Sequence, residues 1–490
     1  MPSLIDRCLF RPVDASSLAA FRILFGALML FEAVNYGAFL CLDCLYREPE
    51  LLFKYRHFEW VRLLPGYGLE LVFVLMALAA TGVMLGLFYR VSAVLLVVTF
   101  GYLFLLDQAL YLNHFYLALL FAAILALVPA HRTWSLDARR RPGTASDTVP
   151  AWGRFWIGAQ LEIVLIYAGL VKVNADWLNL EPMRLWMTQA SADEAAVFRW
   201  LTEDWGIALA SYGAIALHLV GAPLLLWRRT RLAALGVYAV FHTINAFVFD
   251  IGIFPWMTLA ATLVLFDPDW PRQALRWLQA RGLATRPAAL VRAARPLPRA
   301  PAEGTADGGP AGRDGADRAS DAGGTLTARR HAAGRRAAVV ATLSLWLVAQ
   351  MLVPLRHLAA PGDVAWNEDG HRFSWRMKLR SKRGQATFVV VRDDGTRQVV
   401  DPREHLTAQQ VRTMACLPDL IWQYAQFLEA EYSEGGTRDV AVHVDARCSL
   451  NAREPQPLID RLVDLTEVRR GDPVTGWVTP LSTPLRDPLF

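Results

Sequence analysis

Charge is scarce in this sequence. Only 19% of its 490 residues are Asp, Glu, Lys or Arg, where a soluble chain carries roughly a quarter, so a wholly water-facing surface is excluded. Cysteine is sparse too, at five. Cys41 and Cys44 make one C-x-x-C without the second pair or the histidines that a zinc site needs. Cys416 and Cys448 could pair in an oxidising compartment. There is no phosphate-cradling glycine loop and no metal-ligand spacing, which argues against nucleotide and metal chemistry. The N-terminus lacks a cleavable signal, because the first apolar run, from about Leu18, is too long for an h-region and has no cleavage site.

What the sequence has is apolar length. Hydrophobic residues make up 54%, tryptophans number 17, and the mean hydropathy is +0.27. The excess lies in runs of about 17–23 residues, each able to cross roughly 30 Å of hydrocarbon. Spans are predicted near 17–40, 69–88, 91–111, 113–129, 153–172, 207–227, 232–250, 251–266 and 338–355. The expected fold is an all-α membrane bundle of about nine transmembrane helices followed by a C-terminal α+β extracytoplasmic domain. Its parts would be a bundle over 1–281 (spans one to eight), a cytoplasmic linker over 282–337, the last span at 338–360 and the α+β domain at 361–490. Ala284–Gly334 is rich in Ala, Arg, Gly, Pro and Asp without apolar periodicity, and reads as disordered. In the last part, Ala386–Arg392 and Arg397–Val400 alternate as strands around the Asp393-Asp394-Gly395 turn. Val411–Tyr432 has helical spacing, and Val440–Asp445 alternates again.

Arginine placement orients the bundle. Arg7 and Arg11, Arg90, Arg132 with Arg139–Arg141, Arg228 with Arg229 and Arg231, and the 267–336 segment fall on one side when nine spans are counted. The alternate loop 174–206 holds Asp176, Glu181, Asp193, Glu194, Glu203 and Asp204 against Arg184 and Arg199, while the first outer loop is balanced. The positive-inside rule then puts the N-terminus in the cytoplasm and the C-terminal domain outside. The net charge of +5 reflects this topology and gives no reason to expect nucleic-acid binding.

Polar residues within apolar spans are costly and tend to mark function. They are Arg22, Glu32, Asp107, His114, Glu162, Lys172, His218, His242 and Asn245. Arg22 can be explained as a partner for Glu32, Glu162 or Asp107, and His218 as a packing histidine. Span direction gathers Asn113, His114, Lys172, His242 and Asn245 in the outer half of the membrane, where they could line a cavity open to the exterior. The plainer alternatives are that Lys172 snorkels to the interface and Asn113 caps a helix.

Ordered motifs then run nearly end to end: RPVDASSLAAFRILFGALML (11–30), YRVSAVLLVVTFGYLFLLD (89–107), NHFYLALL (113–120), AGLVKVNADW (168–177), FHTINAFVFDIGIF (241–254), WNEDGHRFSWRMK (366–378), SLNAREPQPLIDRLVDL (449–465) and GWVTPL (476–481). On these the chain resembles the vitamin K-dependent gamma-glutamyl carboxylases and their bacterial relatives with the horizontally transferred transmembrane (HTTM) domain.

The resemblance implies an integral enzyme of the bacterial inner or plasma membrane, a lyase with epoxidase activity serving post-translational modification. Vitamin K hydroquinone, a reduced menaquinone-like quinol, reacts with O2 to give a strong base as it becomes the 2,3-epoxide. That base takes a γ-proton from a peptidyl glutamate, and the carbanion captures CO2. The implied partners are the bilayer, the lipid quinol and a glutamate-containing exported peptide or protein, with no metal, nucleotide or nucleic acid. By motif position Lys172 would be the initiating base, with His114 and Asn113 beside the reacting groups. His242, Asn245, Asp176, Trp177, Ser374 and Trp375 would contact quinol or substrate. The chain departs from the family pattern at Val171, which replaces the first of two lysines, at Gly370-His371 and at Arg380. Neither partner of the family's early-loop bridge is cysteine, Phe427 standing near the later position. Arg376, Lys378 and Arg380 could serve an acidic ligand or simply form charged surface. Two alternatives remain open: a quinol epoxidase without glutamate carboxylation, and a non-enzymatic maturation or transport factor on the same scaffold.

The chemistry required of these groups is plain. A lysine acts as a base near neutral pH only if desolvation or a nearby cation lowers its pKa from about 10.4. A water-poor pocket also protects a strong base from quenching.

Overall fold

The computed structural model describes residues 4–190, 200–249, 251–283, 317–433 and 440–485. Among the described residues, six helices are long and apolar enough to cross a membrane: Ser16–Phe39, Gly68–Leu85, Tyr89–Leu106, Asp204–Leu226, Arg231–Val248 and Arg330–Ala359. The expected nine are not reached by that measure. Asn113–Leu127 and Phe254–Thr262 are apolar but have 15 and 9 residues. Trp152–Leu170 has 19 residues, but Arg154, Gln160 and Glu162 lower its hydropathy.

The N-terminal unit is helical. Helices α1 (Ser16–Val34), α2 (Gly68–Leu85), α3 (Tyr89–Leu106) and α4 (Asn113–Leu127) pack in sequence, followed by α5 (Trp152–Leu170), α6 (Asp204–Ala216), α7 (Arg231–Val248) and α8 (Phe254–Thr262). Close approach needs small residues. A Cβ at Gly26 of α1 would lie 2.6 Å from the Met84 backbone of α2. Among the described residues Arg22 pairs with no carboxylate, contrary to the expected ion pair. Its guanidinium donates to the carbonyls of Ala130 (3.1 Å), Val83 (2.7 Å), Met84 (2.6 Å) and Trp134 (2.5 Å). Two of these close the end of α2, where unsatisfied carbonyls and the helix dipole favour a cation.

Helix α9 (Asp317–Leu352) has 36 residues and begins inside the stretch expected to be a disordered linker; 284–316 lies outside the described residues. It docks on α5 through polar contacts, with Trp346 Nε1 donating to Gln160 Oε1 (2.7 Å) and Gln160 Nε2 to Gln350 Oε1 (3.2 Å).

The C-terminal region forms an antiparallel sheet of β1 (Lys382–Arg392), β2 (Arg397–Val400), β3 (Val440–Leu450) and β4 (Gln456–Pro457), in the order β2-β1-β3-β4. Register pairs Phe388 with Val400 and with Val444, so alternate residues reach one buried face. The expected helix over 411–432 is two helices, α10 (Ala408–Met414) and α11 (Pro418–Tyr432). Pro418 has no N–H and turns Leu417 to extended backbone (φ −118°). Cys416 at this break is bonded to Cys448 of β3. Gly384 makes room for the bridge, since a Cβ there would lie 2.5 and 2.7 Å from the two sulfurs.

The two regions share a core. Phe53 and Ala109, from loops of the helical unit, pack with Leu420, Ile421 and Tyr424. Asp107, which ends α3, accepts from Phe53 N (3.2 Å), Ala109 N (2.8 Å) and Gln410 Nε2 (2.9 Å). Its place within the membrane-facing sequence is thus explained by joining the regions.

Candidate functional site

Lys172 follows the end of α5 and is 6% exposed. Its Nζ donates to Ala168 O (2.8 Å) and Met377 O (3.4 Å), and lies 5.1 Å from the Trp177 ring centre. No carboxylate pairs with it among the described residues. Asp176, four residues on, is held elsewhere: Arg453 grips it at 2.5 and 2.6 Å, and Asn451 Nδ2 donates at 2.5 Å. Trp177 Nε1 is bonded to Ser211 O at 2.9 Å. Asp176 therefore fastens the two regions, while Trp177 forms a wall beside the amine.

The segment carrying Met377 belongs to the C-terminal region and enters the end of the bundle. Phe373 N donates to Tyr111 Oη (2.8 Å), whose hydroxyl donates to Asn113 Oδ1 (3.0 Å). Asn113 thus does not cap α4, which starts with no side-chain cap. Trp375 is fully buried and stacks on Tyr116 at 4.9 Å, leaving its buried Nε1 without a partner among the described residues. Ser374 Oγ donates to Gly370 O (2.6 Å), which folds the segment on itself. Glu368, Phe373, Trp375 and Lys378 all have positive φ, at 67°, 60°, 54° and 44°. Such conformations cost about 1–3 kcal/mol each and collect where side chains must be aimed.

His114 and His242 both face Phe254. The ring of Phe254 is 6.3 Å from His114 and 5.9 Å from His242. Gly252, at φ +51°, brings its turn against His114, with an added Cβ 3.5 Å from Nε2. His242 Nε2 is 3.2 Å from Thr258 Oγ1, and its buried Nδ1 has no partner among the described residues. Since the Thr258 hydroxyl reaches the Phe254 and Pro255 carbonyls at 2.9 Å, this arrangement favours Nε2–H and a bare acceptor at Nδ1. Asn245 Nδ2 is turned back to Phe241 O (2.8 Å). His218 is bonded at Nδ1 to Ala214 O (2.6 Å), as a packing histidine would be. Yet its ring is 5.4 Å from Phe241 and 6.2 Å from Tyr238, which itself stacks on His242. It also sits in a π-helical turn, Leu217–Gly221, a feature with no signature in the sequence pattern.

The bundle and the inserted segment decide the kinship. Residues 10–270 match the family described as HTTM domain, and residues 335–483 match vitamin K-dependent gamma-carboxylase, lumenal domain. The chain belongs to the vitamin K-dependent gamma-carboxylase family. No solved structure matches it. The family carries a vitamin K-dependent, carboxylase-like function, and both matched stretches meet at Lys172 and Met377.

A carboxylase-family reading makes Glu368 notable, and sequence reasoning missed it. It is paired with Arg380 (2.5 Å) and Lys382 (3.2 Å), with His371 Nδ1 at 3.8 Å. Burial opposes its ionisation, but the charges of Arg380 and Lys382 override this and hold the carboxyl down to about 2. Burial pushes His371 well below its usual range. Arg380 therefore serves the chain's own acid, and Lys378 lies over Phe249 at 4.6 Å. Beside this knot a cleft of about 300 Å³ opens, lined in part by Arg56, Arg356, Gly370, Arg372 and Phe373.

Proposed function

We propose that the protein oxygenates vitamin K hydroquinone to the 2,3-epoxide and couples this to γ-carboxylation of glutamate in an exported peptide. The observation that carries this reading is a buried lysine amine that meets carbonyls and an indole face but no carboxylate. In such a place the ammonium is poorly compensated, and the neutral amine is favoured as a proton acceptor. The donor at Trp375 Nε1 and the acceptor at His242 Nδ1, without partners among the described residues, fit a ligand bearing oxygen groups, because buried polar atoms seek partners. When bound, the quinol with oxygen supplies the strong base that the family's chemistry uses. The residues of this chain would hold the ring (Trp375, His242, His114), accept the first proton (Lys172 Nζ) and exclude water (Trp177, Tyr116, Phe254). Arg56 and Arg372, which line the cleft, are suited to a glutamate carboxylate.

The reading places the C-terminal region outside the cytoplasm. It is tested with purified protein in nanodiscs, given vitamin K hydroquinone, oxygen, labelled bicarbonate and a glutamyl peptide. Epoxide and fixed label should both form and both vanish in Lys172→Ala. Retained epoxide in that variant would remove Lys172 as the base, and label-free epoxide from the wild type would favour the second reading. That reading is quinol oxygenation without carboxylation, favoured by Arg380 being engaged with Glu368. A fully folded protein that forms neither product would leave the scaffold without this enzymatic role.

A further inference from the structure

A second cavity, of about 310 Å³, lies among α1, α2, α3 and the segment leading into α4. Its wall is mainly aromatic and aliphatic, including Phe73, Met76, Phe100, Phe104 and Phe115. Two features interrupt that wall. Glu32 lines it, is 5% exposed and has no hydrogen-bond or ion-pair partner among the described residues. Cys41 and Cys44 also line it, joined as a disulfide. Cys41 is exposed and Cys44 half-buried, and π-helical turns at Asn35–Phe39 and Asp43–Arg47 adjoin the pair. Such turns appear frequently at functional sites.

Each feature constrains the occupant. Aromatic walls favour a flat ring. An unpartnered carboxyl in an apolar wall is costly and calls for a polar group on the ligand. A C-x-x-C pair reachable from solvent undergoes thiol–disulfide exchange. The Cys416–Cys448 bridge differs in this respect, with exposures of 3% and 0%. A flat ring that takes two electrons from a dithiol and protons from a neighbouring acid is a quinone.

We propose that this cavity binds a quinone-class ring and that the Cys41/Cys44 dithiol reduces it there to the hydroquinone. In the step two S–H bonds break and one S–S bond forms. Two electrons pass to the ring, and each of its two oxygens gains a proton, one of them through Glu32. The disulfide is then reopened by an external dithiol, which is oxidised in turn. The cavity reaches Tyr111, whose hydroxyl accepts from Phe373 N at 2.8 Å, in the same segment whose Met377 carbonyl meets Lys172. The use of the product rests on the proposed function, since a hydroquinone is what that site consumes; the reduction itself does not.

The test uses full-length protein carrying Cys8→Ser, because Cys8 is a free and exposed thiol. The protein is reduced with dithiothreitol, desalted and mixed without oxygen with a fully substituted short-chain benzoquinone, whose ring offers no open position for thiol addition. About one hydroquinone per chain should form, with Cys41 and Cys44 becoming protected from alkylation in step. Cys44→Ser should lose more than tenfold of the yield, and Glu32→Gln should slow formation about tenfold without lowering the yield. Lys172→Ala should give the full yield, which separates this inference from any failure of the oxygenation reading. No hydroquinone from the reduced protein, or an undiminished yield from folded Cys44→Ser, would overturn it.

Discussion

In the C-terminal region the Lys382 side chain is 4% exposed, and Lys172, where the bundle meets it, is 6% exposed, so both amines are buried. The two amines keep different company. Lys382 lies 3.2 Å from Glu368 and donates to Trp366 O. Burial pushes it down to about 8 against the pull of Glu368. Lys172 has two carbonyls and an indole ring. Burial alone therefore does not mark a reactive lysine. The partner does: an amine neutralised by a carboxylate is built into the framework, whereas one facing only dipoles is available to take and give a proton.

The sharpest way to break the comparison is to exchange the consequences. Lys172→Ala should lower quinol turnover by at least about 10²-fold with the protein still inserted and unaggregated, as read by product analysis and size exclusion. Lys172→Arg should not rescue it, because a guanidinium stays charged. Removing the acid instead, in Glu368→Gln, should act on stability. It strands Arg380 and Lys382 in a buried site, at a cost of about 3–5 kcal/mol, and amide exchange across Glu368–Lys382 should rise accordingly. A turnover defect from Glu368→Gln larger than that from Lys172→Ala would invert the assignment.

Acid should sharpen the contrast by a smaller margin. Glu368 is held at about 2 against an ordinary 4.5, so folding releases protons from it. Its contribution is complete above about pH 4.5 and is lost as pH falls from there toward 2. Exchange protection of this segment, followed through that window, should fall in the wild type and flatten in Glu368→Gln. An unchanged acid slope in the variant would assign the loss to other groups.

What was legible of the candidate site is position along the chain: Asn113 and His114 open α4, Lys172 follows α5, His242 lies past the middle of α7, and the loop carrying Trp375 bears a long motif. What was hidden depends on distant partners. Arg22 reads as half of an ion pair until the carbonyls closing α2 are seen around it. Arg380 reads as a ligand group until Glu368 is found 2.5 Å away. Asp176 lies next to the candidate base in sequence, yet Arg453 holds it. Helix breaks divide too: Pro418 carries the signal of one that the single helix expected over 411–432 runs through, while the π-helical turn at Leu217–Gly221 packs against Gly169, where a Cβ would lie 2.9 Å from that of His218.

The seam between the two regions is made of side chains: Gln160 with Trp346, Asp176 with Arg453 and Asp107 with Gln410. Covalent continuity adds nothing to those contacts beyond local concentration. A gene split between the codons for Leu283 and Asp317 would thus encode two polypeptides that find each other in the bilayer and co-purify as one enzyme.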